Sequence, residues 1–509
     1  MGKIKKQKSF KTTENEQKGI TLVALVITII IIIILATVTI NMAFGDNGLI
    51  TQAQKAKDMT ANSIAAEQEG MNSVMSEYLN VMAEDSEIIP PDEPGFVDVL
   101  PTKPSLSDGM VPVKWNGSNW VRTTADDEEW YDYANKEWAN VVLTPDSGAN
   151  AGKDATGTVD LFNSDGILNE DSAYTMLVWI PRYAYQITTN YHTNAAEGGN
   201  INIVFIDTNN QNKEKTTTYS TSYPNATTGG GMDDYVVHPA FNYGGTQLTG
   251  FWVGKFETSN TNCTTDVTTG QATYTGNEVI QIKAGVTSWR NIQVSDIFTT
   301  CTNMNNSDNP YGLNTSDTVV DPHMMKNSEW GAVAYLSQNT TYGKGEEVWI
   351  NPNSSFITGQ VGDNASASST TSTDAYNEGN GSQASTTGNV TGIYDMSGGA
   401  WEFVAAYVNN SYADDYASNL VSAAAKYKDV YSIGNSDSID ENYEISIPSN
   451  GHYGDAIYET SSYGNNNDDS WYTDCSAFLF ITNPILRRGS NYFAKTAAGM
   501  FSFQRRRRL

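Results

Sequence analysis

From Ile20 to Ile40 the chain carries no charged side chain, and Ile29 to Ile34 is an unbroken run of isoleucine. About 20 apolar residues rising 1.5 Å each span the hydrocarbon core of a bilayer. Lysines precede the run at positions 3, 5, 6, 8, 11 and 18. They hold the N-terminus in the cytoplasm, so everything after Ile40 is expected outside the cell. A cleaved secretory signal is the poorer reading, because the run is too long and no small-residue cleavage site follows it. The chain is therefore expected to contact a lipid bilayer through residues 20–40 as a single-pass protein.

The stretch Lys18-Gly19-Ile20-Thr21-Leu22-Val23-Ala24-Leu25 resembles the leader of type IV prepilins and pseudopilins. The resemblance implies a basic leader over 1–19 and cleavage by a prepilin peptidase between Gly19 and Ile20. It also implies a bacterial cell surface and other pilin-like subunits as partners. The family's glutamate at the fifth mature position falls on Ala24 here, which weakens the case for a major filament subunit. Beyond the membrane, Ala53 to Asp85 lacks proline, and Ile64, Met71, Val74, Met75, Tyr78 and Val81 repeat at helical steps. A transmembrane and stalk helix is expected over 20–84. Pro90, Pro91, Pro94, Pro101 and Pro104 then make 85–108 a stiff linker.

Of the 509 residues, 58 are acidic and 30 are Lys or Arg, a net charge of −28. No domain-sized basic surface exists to meet phosphates, so nucleic acid is excluded as a partner. Such a length predicts more than one unit outside the membrane. Tryptophans at 115, 120, 130 and 138 and an Asn116-Gly117 turn signal predict a small aromatic-rich β region over 109–170, with its tryptophans used for packing. Met176 to Ile180, ending at Pro181, reads as a buried strand opening a larger domain over 171–509. Cys263, Cys301 and Cys475 form no disulfide framework; a single Cys263–Cys301 bridge and buried free thiols both fit the spacing. His192, His238, His323 and His452 lack metal-ligand spacing.

Four separated segments of the larger domain share one resemblance. They are Gly250 to Thr258, Met324 to Ser337, Gly392 to Val404 (GIYDMSGGAWEFV) and Leu486 to Ser490. In that order they are similar to the formylglycine-generating enzyme family. The resemblance implies the C-type lectin fold, an α+β arrangement with many ordered loops, here following the membrane helix and the small β region. Ser366 to Asn389, rich in Ser, Thr, Asn and Gly, reads as a mobile loop. The family's catalytic cysteine pair is missing from Asn491 to Met500, and no other low-pKa thiol replaces it. The chain is expected not to be an enzyme.

The resemblance carries two further implications. The family's signature loop binds calcium, which transfers to Asp395, Gly398, Ala400 and Glu402, hard oxygen ligands suited to that ion. Catalytically empty, surface-tethered members include the variable proteins of diversity-generating retroelements, whose C-terminal stretch is the ligand face. Here that stretch would supply Ser490, Asn491, Tyr492, Phe493, Lys495, Phe501 and Gln504, residue types that make adaptable binding surfaces. The expectation is a membrane-anchored receptor or adhesin for an extracellular protein or glycan. The alternative is a minor pilin or pseudopilin with a structural role in a filament.

Overall fold

Asn116 accepts through its side chain from the N–H groups of Ser118 and Asn119 at 3.1 and 2.8 Å, and Gly117 takes φ +95°. That turn folds strand β1 (Met110–Trp115) back on β2 (Trp120–Arg122), pairing Trp115 with Trp120. The hairpin expected from the sequence therefore forms. A computed structural model describes residues 102–145, 152–172, 174–260, 263, 278–306, 309–311, 313, 320–369, 373–431, 452–462, 469–479 and 482–505. Gly19, Ile20, the span 20–40, the stalk and Arg506 to Arg508 lie outside the described residues. No helix among the described residues is long and apolar enough to cross a membrane.

The described part is α+β, mostly strand, and falls within one unit running from Val97 to Leu509. Strands β3 (Asn140–Leu143), β4 (Thr175–Pro181) and β10 (Gly250–Gly254) extend the hairpin into a five-stranded sheet of order β10-β4-β3-β1-β2. This corrects the expected boundary at 170/171. Segment 109–170 shares one sheet with the strands after it, because Val142 pairs with Met176 and Trp179 with Trp252. Trp120, Trp130 and Trp138 are buried, as their packing role requires. A three-stranded sheet sets β5 (Tyr183–Ile187) between β6 (Ile201–Phe205) and β7 (Val236–Val237).

Three two-residue ladders follow: β8 (Asn242–Tyr243) with β9 (Thr246–Gln247), β11 (Ser259–Asn260) with β12 (Ile280–Gln281), and β13 (Gln360–Val361) with β14 (Asp374–Ala375). The second five-stranded sheet has the order β16-β15-β18-β19-β17. Its members are β15 (Glu402–Val408), β16 (Asp429–Tyr431), β17 (Ser476–Ala477), β18 (Ile485–Gly489) and β19 (Gly499–Arg505). Three α-helices occur among the described residues: α1 (Val294–Asn303), α2 (Asn327–Gln338) and α3 (Ser411–Ser422).

Helix α2 is the centre of the main core, and all of its residues are buried. Its start is set by Glu329, whose carboxylate accepts the Lys326 N–H at 2.8 Å. Trp330 donates from Nε1 to the Met500 carbonyl at 2.8 Å, tying the helix to β19. Arg488 on β18 is wholly buried, and its guanidinium binds Asn327 at 2.8 Å and the Ser502 and Ala456 carbonyls at 3.2 and 3.0 Å. Segment 366–389 departs from the mobile loop expected of its composition. It holds β14 and a turn of 3-10 helix at Gly381–Ala384, and Ser385 and Thr386 have no exposed surface. Its small polar residues are used as hydrogen-bond partners, as where Thr386 accepts the Ile393 N–H at 2.9 Å. All three cysteines are free thiols; burial pushes that of Cys301 up to about 12.

Candidate ligand-binding site

The segments behind the family resemblance, far apart in sequence, meet in space. Tyr394 donates its N–H to the Lys255 carbonyl at 2.8 Å, and the Lys255 ammonium returns to the carbonyls of Val390 and Gly392 at 2.7 Å each. Gly398 donates to Gly489 at 3.0 Å. Beside them, the Asp395 carboxylate accepts from Asn351 Nδ2 at 2.8 Å, from the Gly359 N–H at 2.9 and 3.0 Å, and from the Glu257 N–H at 3.3 Å. Each of its oxygens thus meets two N–H contacts.

Backbone hydrogen bonds fix the rest of the loop. The Gly398 N–H is bonded to Gly489, and the Ala400 N–H donates to Glu257 Oε1 at 2.8 Å. Among the described residues no group of three or more His, Cys, Asp or Glu side chains is placed to hold a metal. Hydrogen bonds within the chain hold the carboxylate of Asp395, the central member of the expected calcium set of Asp395, Gly398, Ala400 and Glu402. Glu257, absent from the expected set, lies under the loop instead and also accepts from Ser288. Burial raises the Glu257, Asp395 and Glu402 carboxyls above their usual range, Asp395 to about 6, and the charge of Asp395 raises both glutamates further.

The expected ligand face divides in two. Ser490 and Phe501 are each 1% exposed, and Phe501 packs on Trp471 with ring centres 5.1 Å apart. Gln504 is half-buried and donates to the Cys475 sulfur. These three are structural: Phe501 and Gln504 lie on β19, paired on both sides by β18 and β17, and Ser490 is buried directly after β18. The connection before β19 differs. Phe493 is 57% exposed, one of two exposed large hydrophobic side chains among the described residues. Lys495 and Thr496 are exposed too, while Asn491 and Tyr492 are half-buried.

That connection is short and held at both ends. Tyr492 donates its N–H to the Gly399 carbonyl at 2.9 Å, and Ala494 donates to Asn491 at 3.0 Å. The rings of Tyr492 and Phe493 lie 5.2 Å apart, and Tyr492 meets Phe356 edge-on at 4.9 Å. The Arg290 guanidinium sits 3.8 Å from the Phe356 ring centre, and that of Arg487 sits 4.0 Å from Trp401. Flat rings and stacked guanidinium groups with hydrogen-bonding edges make an anchor-rich contact surface. Phe356 and Arg290, which continue the surface from Tyr492, are absent from the expected ligand face. Both come from loops distant in sequence, and no local pattern marks them. No protein-family model matches the chain, and no curated protein matches it.

Proposed function

We propose that this chain is a membrane-anchored surface protein that binds an extracellular protein or glycan through the 491–497 connection. On this reading the pilin-like N-terminus displays a catalytically empty domain of the C-type lectin, formylglycine-generating type. The observation that carries the reading is the solvent-exposed Phe493 beside Tyr492, on a connection anchored to Gly399 and running straight into β19. The exposed ring continues into those of Tyr492 and Phe356, and a contiguous apolar patch with a polar rim suits an external partner. The strand behind it is paired on both sides, and a connection held in place by such a strand leaves less to order on binding.

The test uses the full chain in detergent, fluorescently labelled, on an array of glycans and bacterial or host surface proteins. Wild type should give reproducible signal on a restricted set of spots. Changing Tyr492, Phe493 and Lys495 together to Ala should abolish it with an unchanged circular dichroism spectrum. Equal signal from the triple variant would refute the reading.

A further inference from the structure

A cavity of about 420 Å³ opens at the N-terminus of α2, and none of residues 490–504 lines it. In a chain of net charge −28 its lining is unexpectedly cationic: Arg182, Lys326, Lys426 and Lys428 stand against Asp429 and Asp455. Three of these cations are already engaged. Arg182 binds the carbonyls of Phe241 and Leu248 and the side chains of Asn210 and Gln247. Lys426 pairs with Asp321, and Lys428 caps the last-turn carbonyls of α3.

Lys326 is the exception. It is 5% exposed, yet it forms no ion pair with any described carboxylate. Its ammonium lies 5.8 Å from the centre of the Tyr243 ring. Ser328, also on the cavity wall, is 8% exposed, and its hydroxyl has no hydrogen-bond partner. The two residues flank the first turn of a 12-residue helix, where the helix dipole favours negative charge. Two carboxylates of the chain already cap this turn: Glu329 accepts the Lys326 N–H at 2.8 Å and Asp429 accepts the Ser328 N–H at 2.7 Å. A buried hydroxyl without a partner is costly, and one carboxylate in the cavity would supply an acceptor to it and a counter-charge to the Lys326 ammonium on the same wall.

We propose that this cavity binds a sugar acid, with its carboxylate on the Lys326 ammonium and the Ser328 hydroxyl. The rest of the lining selects the rest of the ligand. Asp429 disfavours a dianion such as phosphate, while Asp429, Asn242 and Gln247 present hydrogen-bonding groups to neutral hydroxyls. The ring of Tyr453 gives a flat apolar wall for a sugar face. The volume lies within the range of small-molecule sites, towards its lower end, which suits a monosaccharide.

The test is isothermal titration of the full chain with glucuronate, glucose and inorganic phosphate in turn. Glucuronate should bind saturably, glucose should not, and phosphate should bind at least about tenfold more weakly than glucuronate. Lys326→Gln should weaken glucuronate about tenfold or more, and Ser328→Ala should weaken it severalfold, both with melting temperature near wild type. Should Lys326→Gln fail to fold, Ser328→Ala carries the test alone. Several results overturn the proposal: no glucuronate binding, equal binding of glucose, phosphate binding as tightly as glucuronate, or a folded Ser328→Ala protein that binds like wild type.

Discussion

Asp395 is central at the scale of single residues because its carboxylate is the acceptor for the Asn351, Gly359 and Glu257 N–H groups at once. Asp395→Ala strands those donors at a site that is 1% exposed, and each buried donor left unpaired costs about 1–3 kcal/mol. Urea denaturation should show a loss of about 3 kcal/mol or more, equal in calcium and in chelator. A loss seen only when calcium is present would restore the ion-binding role expected from the sequence. The signature around Asp395 was legible from its residues, but its hydrogen-bond partners were not. The donors that occupy it come from Asn351 and Gly359, on a segment that no sequence pattern connects to it. The tail was misread for a related reason. Phe501 and Phe493 are the same residue type a few positions apart, and only the pairing of β19 with β18 and β17 makes one core and the other surface.

Among the elements, α2 shows what burial on all sides demands. A Cβ on Gly331 would lie 1.9 Å from the Gly454 carbonyl oxygen, closer than any real contact. Gly331→Ala should therefore destabilise by about 3 kcal/mol or more despite the better helix propensity of alanine, since overpacking outweighs a propensity gain of about 1 kcal/mol. A stabilised Gly331→Ala protein in thermal melts would show that the 454–455 segment yields freely. The hairpin at Asn116-Gly117 and the strand ending at Pro181 were legible because turn chemistry and alternation are local signals. The joining of β1–β3 with β4 and β10 into one sheet was not. A strand's sequence records that it has neighbours and does not record which ones.

For the whole molecule, the balance of buried charge sets a pH dependence. Burial raises the carboxyls of Glu347 and Asp455 to about 7 and Asp395 to about 6, and lifts Glu257, Glu402, Glu459 and Asp474 above their usual range. A raised carboxyl contributes stability that is complete below its unfolded pKa, near 4, and lost as pH rises through its folded value. Burial lowers His192, His452 and His238, the last to about 3, and these oppose the trend as pH falls below about 6.5. The acids outnumber the histidines, and a lower pH also relieves the −28 charge. Calorimetry should give a higher melting temperature near pH 5.5 than near pH 8, and the reverse order would contradict these assignments. The proposed binding role is tested most directly by an alanine scan of 490–504 that records affinity for an array-identified ligand and melting temperature together. Tyr492, Phe493 and Lys495 should lose affinity at unchanged melting temperature, whereas Ser490 and Phe501 should lose affinity only as the melting temperature drops. Affinity that survives at the first three, or falls at Phe501 with its melting temperature intact, would contradict the account.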